Sequence, residues 1–323
     1  MRLHLDTDLG SDPDDLCALA MVLGRPGVEV VGITTTADPD GRRAGYVEHC
    51  LRLAGRQDIP VAAGAGRSLT TGRPMGDLPD HERYWGVPVA PRPGPPEAAL
   101  DLLERGIDQG ATIVAIGPFT NLALLHEARP GRLDGVPVVA MGGWIRPPAP
   151  GLPPWGPDLD WNTQCDILAA RLTAERARLT LVTLPVAFEA HLRAAHLPRL
   201  AASGPLGELI ARQCEAYAID SGMAELGRAH AGLPDDLLNV HWDPVACAVA
   251  LGWPGAVVRE QRLRAVVEEG VLRFEPGRDG RRTRVLTGLD AQGFGEMWIG
   301  AVEAATRARP RRRSPGRSAP KCS

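Results

Sequence analysis

The chain has 323 residues, 44% of them hydrophobic, which is enough for one large α/β domain or two smaller ones with a real core. No apolar run reaches the eighteen or more residues that a membrane span requires. The formal net charge of −3 is unevenly placed: seven basic and no acidic residues fall between Arg307 and Ser323, leaving −10 on residues 1–306, an acidic body that argues against a nucleic-acid-binding surface.

In chain order, residues 3–6 read as a buried strand. Residues 14–23 read as a helix whose acidic first turn suits the helix dipole. Met1 to Leu5 run straight into Asp6 and do not form a signal peptide. The β-branched run 28–35 is a strand, 42–54 a helix closed by Gly55, and 59–62 a short strand. After a Gly/Pro-rich stretch (64–96) come a helix (97–109), a strand (112–116), a helix (119–128) and a strand (136–141). This alternation predicts a single-domain, open and mostly parallel α/β sheet with helices on both faces. The next segment, 144–162, holds six prolines and reads as a long, stiff loop. A helix at 165–176, a strand at 179–184 and helices between 205 and 230 and from 244 to 251 follow. Residues 257–286 alternate around Gly270 and Gly280 as antiparallel hairpins at a sheet edge, and 295–307 close the domain as a helix. The domain is expected to span 1–306, with 307–323 a disordered basic tail. Six cysteines (17, 50, 165, 214, 247, 322) lack CxxC spacing and read as reduced thiols of a cytoplasmic protein.

The densest chemical signal lies between the first strand and the first helix. Asp6, Asp8, Asp12, Asp14 and Asp15 fall within ten positions, at the carboxyl end of a strand where ligands of parallel sheets bind. Carboxylates placed this close raise one another's pKa and call for a compensating charge. Oxygen-only donors favour calcium or magnesium over zinc. An aspartyl phosphotransferase of dehalogenase type would need a lysine in the body, and the sole lysine is Lys321. A calcium loop of EF-hand type, counted from Asp6, would place Gly10 at position five and Cys17 at position twelve, and fails.

Asp6-Thr7-Asp8-Leu9-Gly10 followed by Asp14-Asp15 and Ala18-Leu19 resembles the inosine–uridine-preferring nucleoside hydrolase family. Further segments resemble that family in order: Ile33-Thr34-Thr35-Thr36, Gly117-Pro118-Phe119-Thr120-Asn121, Met141-Gly142-Gly143, Asp160-Trp161-Asn162 and Asp243-Pro244-Val245-Ala246. The resemblance implies hydrolysis of a ribonucleoside to ribose and free base with a bound Ca²⁺. It implies that Asp8, Asp15 and Asp243 bind the ion through carboxylates and Thr120 through its backbone carbonyl. Asp8 would also be general base on an ion-bound water attacking an oxocarbenium-like ribose. Asp14, Asp160 and Asn162 would hold the ribose hydroxyls, with Asp12 competing for the role of Asp14. Carboxylates around the sugar stabilise developing positive charge, which fits this chemistry independently.

The chain departs from the family on the base side. Asp160 replaces a Glu. Where many members have His directly before the late Asp-Pro, this chain has Trp242, with His241 one place earlier. His241 is a candidate acid for the leaving base and His81 a candidate base contact. Trp85, Trp144, Trp155 and Trp242 are candidate aromatic walls, and Trp161 is expected to pack inward. Hydrolysis of another N-riboside, of nicotinamide or a modified base, and a weakly catalytic calcium and ribose sensor are the alternatives. A salvage role and a homodimer or homotetramer are expected, with no nucleic-acid or membrane partner.

Overall fold

The computed structural model describes residues 1–307; the tail expected to be disordered lies outside the described residues, apart from Arg307 at the end of the last helix. The first half alternates as β1 (Arg2–Thr7), α1 (Asp14–Gly24), β2 (Glu29–Thr35), α2 (Arg42–Leu53), β3 (Val61–Ala63), α3 (His81–Trp85), α4 (Pro96–Asp108), β4 (Thr112–Ala115), α5 (Thr120–Ala128) and β5 (Pro137–Met141). Then come α6 (Trp161–Gln164), α7 (Ile167–Arg176), β6 (Arg178–Val182), α8 (Leu184–Ala187), β7 (His191–Arg193), α9 (Leu197–Ala201), α10 (Pro205–Asp220), α11 (Met223–Ala229), β8 (Leu237–Val240) and α12 (Trp242–Ala250). Strands β9 (Ala256–Glu268), β10 (Val271–Pro276) and β11 (Arg281–Leu289) precede α13 (Ala291–Arg307).

Nine strands form one sheet in the order β10-β9-β11-β6-β5-β4-β1-β2-β3. From β3 to β6 every pairing is parallel, β11 joins β6 in parallel, and β9 runs antiparallel to both of its neighbours. The expected architecture is therefore the one found, including the antiparallel strands near the C-terminus. Two features were not expected. A separate ribbon of β7 and β8 stands outside the main sheet, built from runs too short to show a period. Short helices also interrupt the Gly/Pro-rich stretches: α3 begins where Asp80 accepts from the backbone N–H groups of Glu82 and Arg83, and α6 where Asp160 accepts from that of Thr163.

Strand β1, interior to the sheet, is buried on both faces. Leu3 and Leu5 enter the apolar core shared with α1, α12 and α13, while His4 and Asp6 point to the other side. His4 sits in a slot that glycines make possible: a Cβ on Gly106 would lie 2.9 Å from its Nδ1, and one on Gly32 3.0 Å. Burial and nearby Arg105 lower its pKa to about 3, so the ring is neutral. Asp6 ties the strand end together, accepting from Thr34 Oγ1 (2.5 Å) and Asn121 Nδ2 (2.8 Å).

Helix α1 is buried along its whole length, as expected of a helix apolar on every side. It packs on α13 at backbone contact, since a Cβ on Gly24 would fall 1.8 Å from the carbonyl oxygen of Ala301. Trp298 of α13 reaches back to donate its indole N–H to the Cys17 carbonyl (3.1 Å). These contacts clamp α1 and, with it, the loop that carries the carboxylates.

Chain order along the sheet reverses between β1 and β4. Adjacent strands whose connections leave in opposite directions open a crevice at their carboxyl ends. Asp8 follows β1 and Ile116 follows β4, so both stand at this opening. Gly117 allows the two loops to meet: a Cβ there would lie 2.8 Å from both the backbone N and the Oδ1 of Asp8.

Candidate active site

A cavity of about 630 Å³ opens at the switch point, lined among others by Asp8, Asp12, Asp14, Asp15, Asp160, Asn162, Trp242 and Asp243. Its floor is the β1–α1 loop. Asp15 accepts from the Thr7 hydroxyl, Asp14 Oδ1 from the backbone N–H of Asp15 (3.1 Å), and Asp12 Oδ1 from that of Asp14 (3.1 Å). The carboxylate oxygens of Asp12, Asp14 and Asp15 lie within 4.8 Å of one another. Asp243, in the first turn of α12, completes the cluster from the far side of the chain.

The cluster is buried and electrostatically strained. Asp8, Asp14, Asp15 and Asp243 are all buried. Burial, then repulsion from Asp8, pushes Asp12 up to about 7. Asp15 and Asp243 rise well above the usual carboxylate range, first through burial and then through their acidic neighbours. Asp8 is raised by burial and held back by Arg43. Arg43 is itself fully buried, donating to the Asp8 carbonyl, to Ala37 O (2.9 Å) and to Ser11 Oγ (3.1 Å). One guanidinium cannot balance five carboxylates. The donor set is all oxygen, crowded and rigidly held, and it fits a hard divalent cation.

Asp160 and Asn162 arrive on the loop before and within α6. Asp160 accepts from the backbone N–H groups of Gly143 (2.5 Å) and Thr163 (3.3 Å), while Asn162 Nδ2 donates to the carbonyls of Ile116 (3.2 Å) and Met141 (3.1 Å). Gly142 adopts φ 142°, and a Cβ there would lie 3.2 Å from Asp160 Oδ1, so a side chain would crowd that carboxylate.

Other expected residues are placed elsewhere. Thr120 does not line the cavity: it opens α5, and its hydroxyl donates to Asp166 Oδ2 (2.8 Å). From this segment it is Ile116 that lines the cavity, its carbonyl accepting from Asn162 Nδ2 (3.2 Å). His241 is buried in an aromatic cluster, with ring centroids 4.3 Å from Trp298 and 5.5 Å from Phe294. Burial keeps its pKa well below the usual histidine value. The turn into α12 points Trp242 and Asp243 at the cavity and His241 away from it. His81 is held by the Tyr46 hydroxyl (2.9 Å) and the Val87 carbonyl (2.9 Å) and does not line the cavity.

Of the four candidate aromatic walls, Trp155 and Trp242 line the cavity. Trp85 is buried against Tyr46 (3.9 Å, 10°), and Trp144 donates to the Trp155 carbonyl (3.3 Å). Trp161 does not pack inward: it is 50% exposed at the cavity mouth, and its indole N–H donates to Asp8 Oδ2 (3.2 Å). Sequence reasoning missed Arg43, because an arginine on a polar helix reads as solvated. It also missed Asn239, which carries no motif.

An oxygen-lined, cation-ready crevice at the switch point of an open parallel sheet defines an enzyme acting on a small polar molecule. The family model for inosine-uridine preferring nucleoside hydrolase matches residues 3–296, and the chain belongs to that family. It is a nucleoside hydrolase, a glycosidase acting on N-glycosyl bonds. The pyrimidine-specific ribonucleoside hydrolase RihA of Shewanella sp. (strain ANA-3) is 27% identical over 94% of this chain and 96% of its own length. RihA of Salmonella schwarzengrund (strain CVM19633) is 32% identical over 67% and 72%. Among solved structures, the purine-preferring ribonucleoside hydrolase from Gardnerella vaginalis superposes with a TM-score of 0.75 at 21% identity, covering 95% of this chain and 100% of that one.

Proposed function

We propose that this chain hydrolyses the N-glycosidic bond of a ribonucleoside by direct attack of water, at a site that holds Ca²⁺. The observation that carries the reading is the meeting of Asp8, Asp15 and Asp243, from the loop after β1, α1 and α12, in one crevice beside Asp160 and Asn162. Asp8, Asp15 and Asp243 would hold the ion, with the Ile116 carbonyl taking the part first expected of Thr120. When bound, the ion supplies a polarised water and an anchor for the ribose 2′- and 3′-hydroxyls.

Asp8 takes the proton from the attacking water; burial raises its pKa toward that of a base, and nearby Arg43 opposes the rise. Asp14, Asp160 and Asn162 receive the ribose hydroxyls. The surrounding negative charge stabilises the oxocarbenium character that develops as the bond to the base breaks. With His241 turned into the core, the base departs against Trp155 and Trp242 without help from that imidazole. The proposal extends to a cytoplasmic salvage role and to a homodimer or homotetramer.

Uridine and inosine assayed beside their 2′-deoxy counterparts test this. The deoxy substrates should react at least about 100-fold more slowly, because a site built for a hydroxyl is left unpaired. A chelator should abolish turnover, and Ca²⁺ should restore it. Equal rates for ribo and deoxy substrates, turnover indifferent to chelation, or nucleoside binding without ribose release would each remove the reading.

A further inference from the structure

The segment that delivers Asp243 also carries a polar group that the reaction at ribose leaves unused. Asn239, on β8 four residues earlier, is 2% exposed and lines the cavity, yet its Nδ2 has no hydrogen-bond partner. Its backbone is fixed by pairing with Leu192 across the β7–β8 ribbon. Buried amides are nearly always paired, so an unpaired one on a cavity wall marks a place where a ligand completes the pairing.

Neighbouring polar groups on this side are already engaged. Asp220 accepts from the Tyr84 hydroxyl (3.0 Å) and pairs with Arg83. The rest of the wall is apolar and aromatic. Trp155 stacks on Phe188 (4.7 Å, 16°), and Trp242 lies against the same Phe188 (5.0 Å). Asn239 and Trp242 thus line one cavity from a single stretch of chain, which the carboxylates also line. A flat heterocycle held against the indole would present its edge to this wall.

We propose that Asn239 reads the polar edge of the nucleobase, resting on the ribonucleoside reading above. A primary amide offers a donor and an acceptor side by side, and a half-turn of its terminal torsion exchanges them. It therefore matches an oxo group beside a ring N–H, or an amino group beside a ring nitrogen. The substrate class is a ribonucleoside whose base carries such an oxo or amino edge, with selection against a base that lacks the exocyclic group.

The test compares inosine with purine riboside, which lacks the 6-oxo group, and uridine with pyrimidin-2-one riboside, which lacks the 4-oxo group. 4-Nitrophenyl β-D-ribofuranoside reports on the ribose half alone. Replacing Asn239→Leu should lower kcat/KM for the oxo substrate by at least about tenfold. It should leave the analogue lacking the oxo group and the nitrophenyl riboside within about threefold. Asn239→Asp, which keeps the shape and removes the donor, should shift preference from uridine toward cytidine, and from inosine toward adenosine. Equal losses on all substrates, or no loss on any, would overturn the assignment to Asn239. Failure of the unaltered protein to cleave any riboside, the nitrophenyl one included, would instead overturn the ribonucleoside reading itself.

Discussion

Asp12, Asp15 and Asp243 hold protons in the folded, metal-free protein at a pH where the unfolded chain has lost them. The sign of the pH dependence follows. Asp12 rises from 3.8 to about 7, so between those values the folded state binds more protons than the unfolded one. Its contribution favours the folded state at the acid end of that window and is lost as pH rises through about 7, in the same sense as the raised Asp15 and Asp243. The melting temperature of the protein in chelator should therefore fall between about pH 4 and about pH 7. Ca²⁺ should raise it more at the upper end, because the ligands must be deprotonated to bind. A chelated protein whose melting temperature rises over that interval would contradict the electrostatic account. Residue by residue, the carboxylates were the legible part of the site, since Asp8, Asp14, Asp15 and Asp243 all line the cavity. His241, His81 and Thr120 were misplaced because adjacency in sequence does not determine direction. One step along the turn into α12 separates a ring packed on Trp298 from an indole facing the cavity.

The β1–loop–α1 unit works because neighbouring elements hold it at both ends. Asp6 joins β1 to Thr34 and Asn121, and α13 clamps α1 through Trp298 and the close approach at Gly24. Gly24→Val would drive a side chain into the Ala301 carbonyl and force the two helices apart. The expected cost is about 1–3 kcal/mol, read as a lower midpoint in urea unfolding, since overpacking strains a close-packed interior. An unchanged midpoint would show that this helix pair does not clamp the loop. The long periodic elements were legible to within a few residues, because strands buried on both faces and helices apolar over several turns leave strong patterns. The ribbon of β7 and β8 and the short helices α3 and α6 were not. They depend on single caps such as Asp80 and Asp160, and on partners far away in the chain.

Across the whole molecule, function follows from where the sheet changes direction. Strands β1 and β4 part at the switch point, and the loop after β1, Ile116 after β4 and the start of α12 converge on the gap. This convergence joins residues more than two hundred positions apart, Asp8 with Asp243, in one charged crevice. The carboxylates, Asp160 and Asn162, and Trp155, Trp242 and Asn239 all line this one cavity, which the proposal divides among cation, ribose and base. The most direct measurement is ribose release, followed as reducing sugar, from a panel of purine, pyrimidine and nicotinamide ribosides by the protein and by Asp8→Asn. The account predicts ribose from at least one ribonucleoside, with the substitution lowering kcat by about 100-fold or more. No ribose from any member of the panel, or full activity in Asp8→Asn, would contradict it.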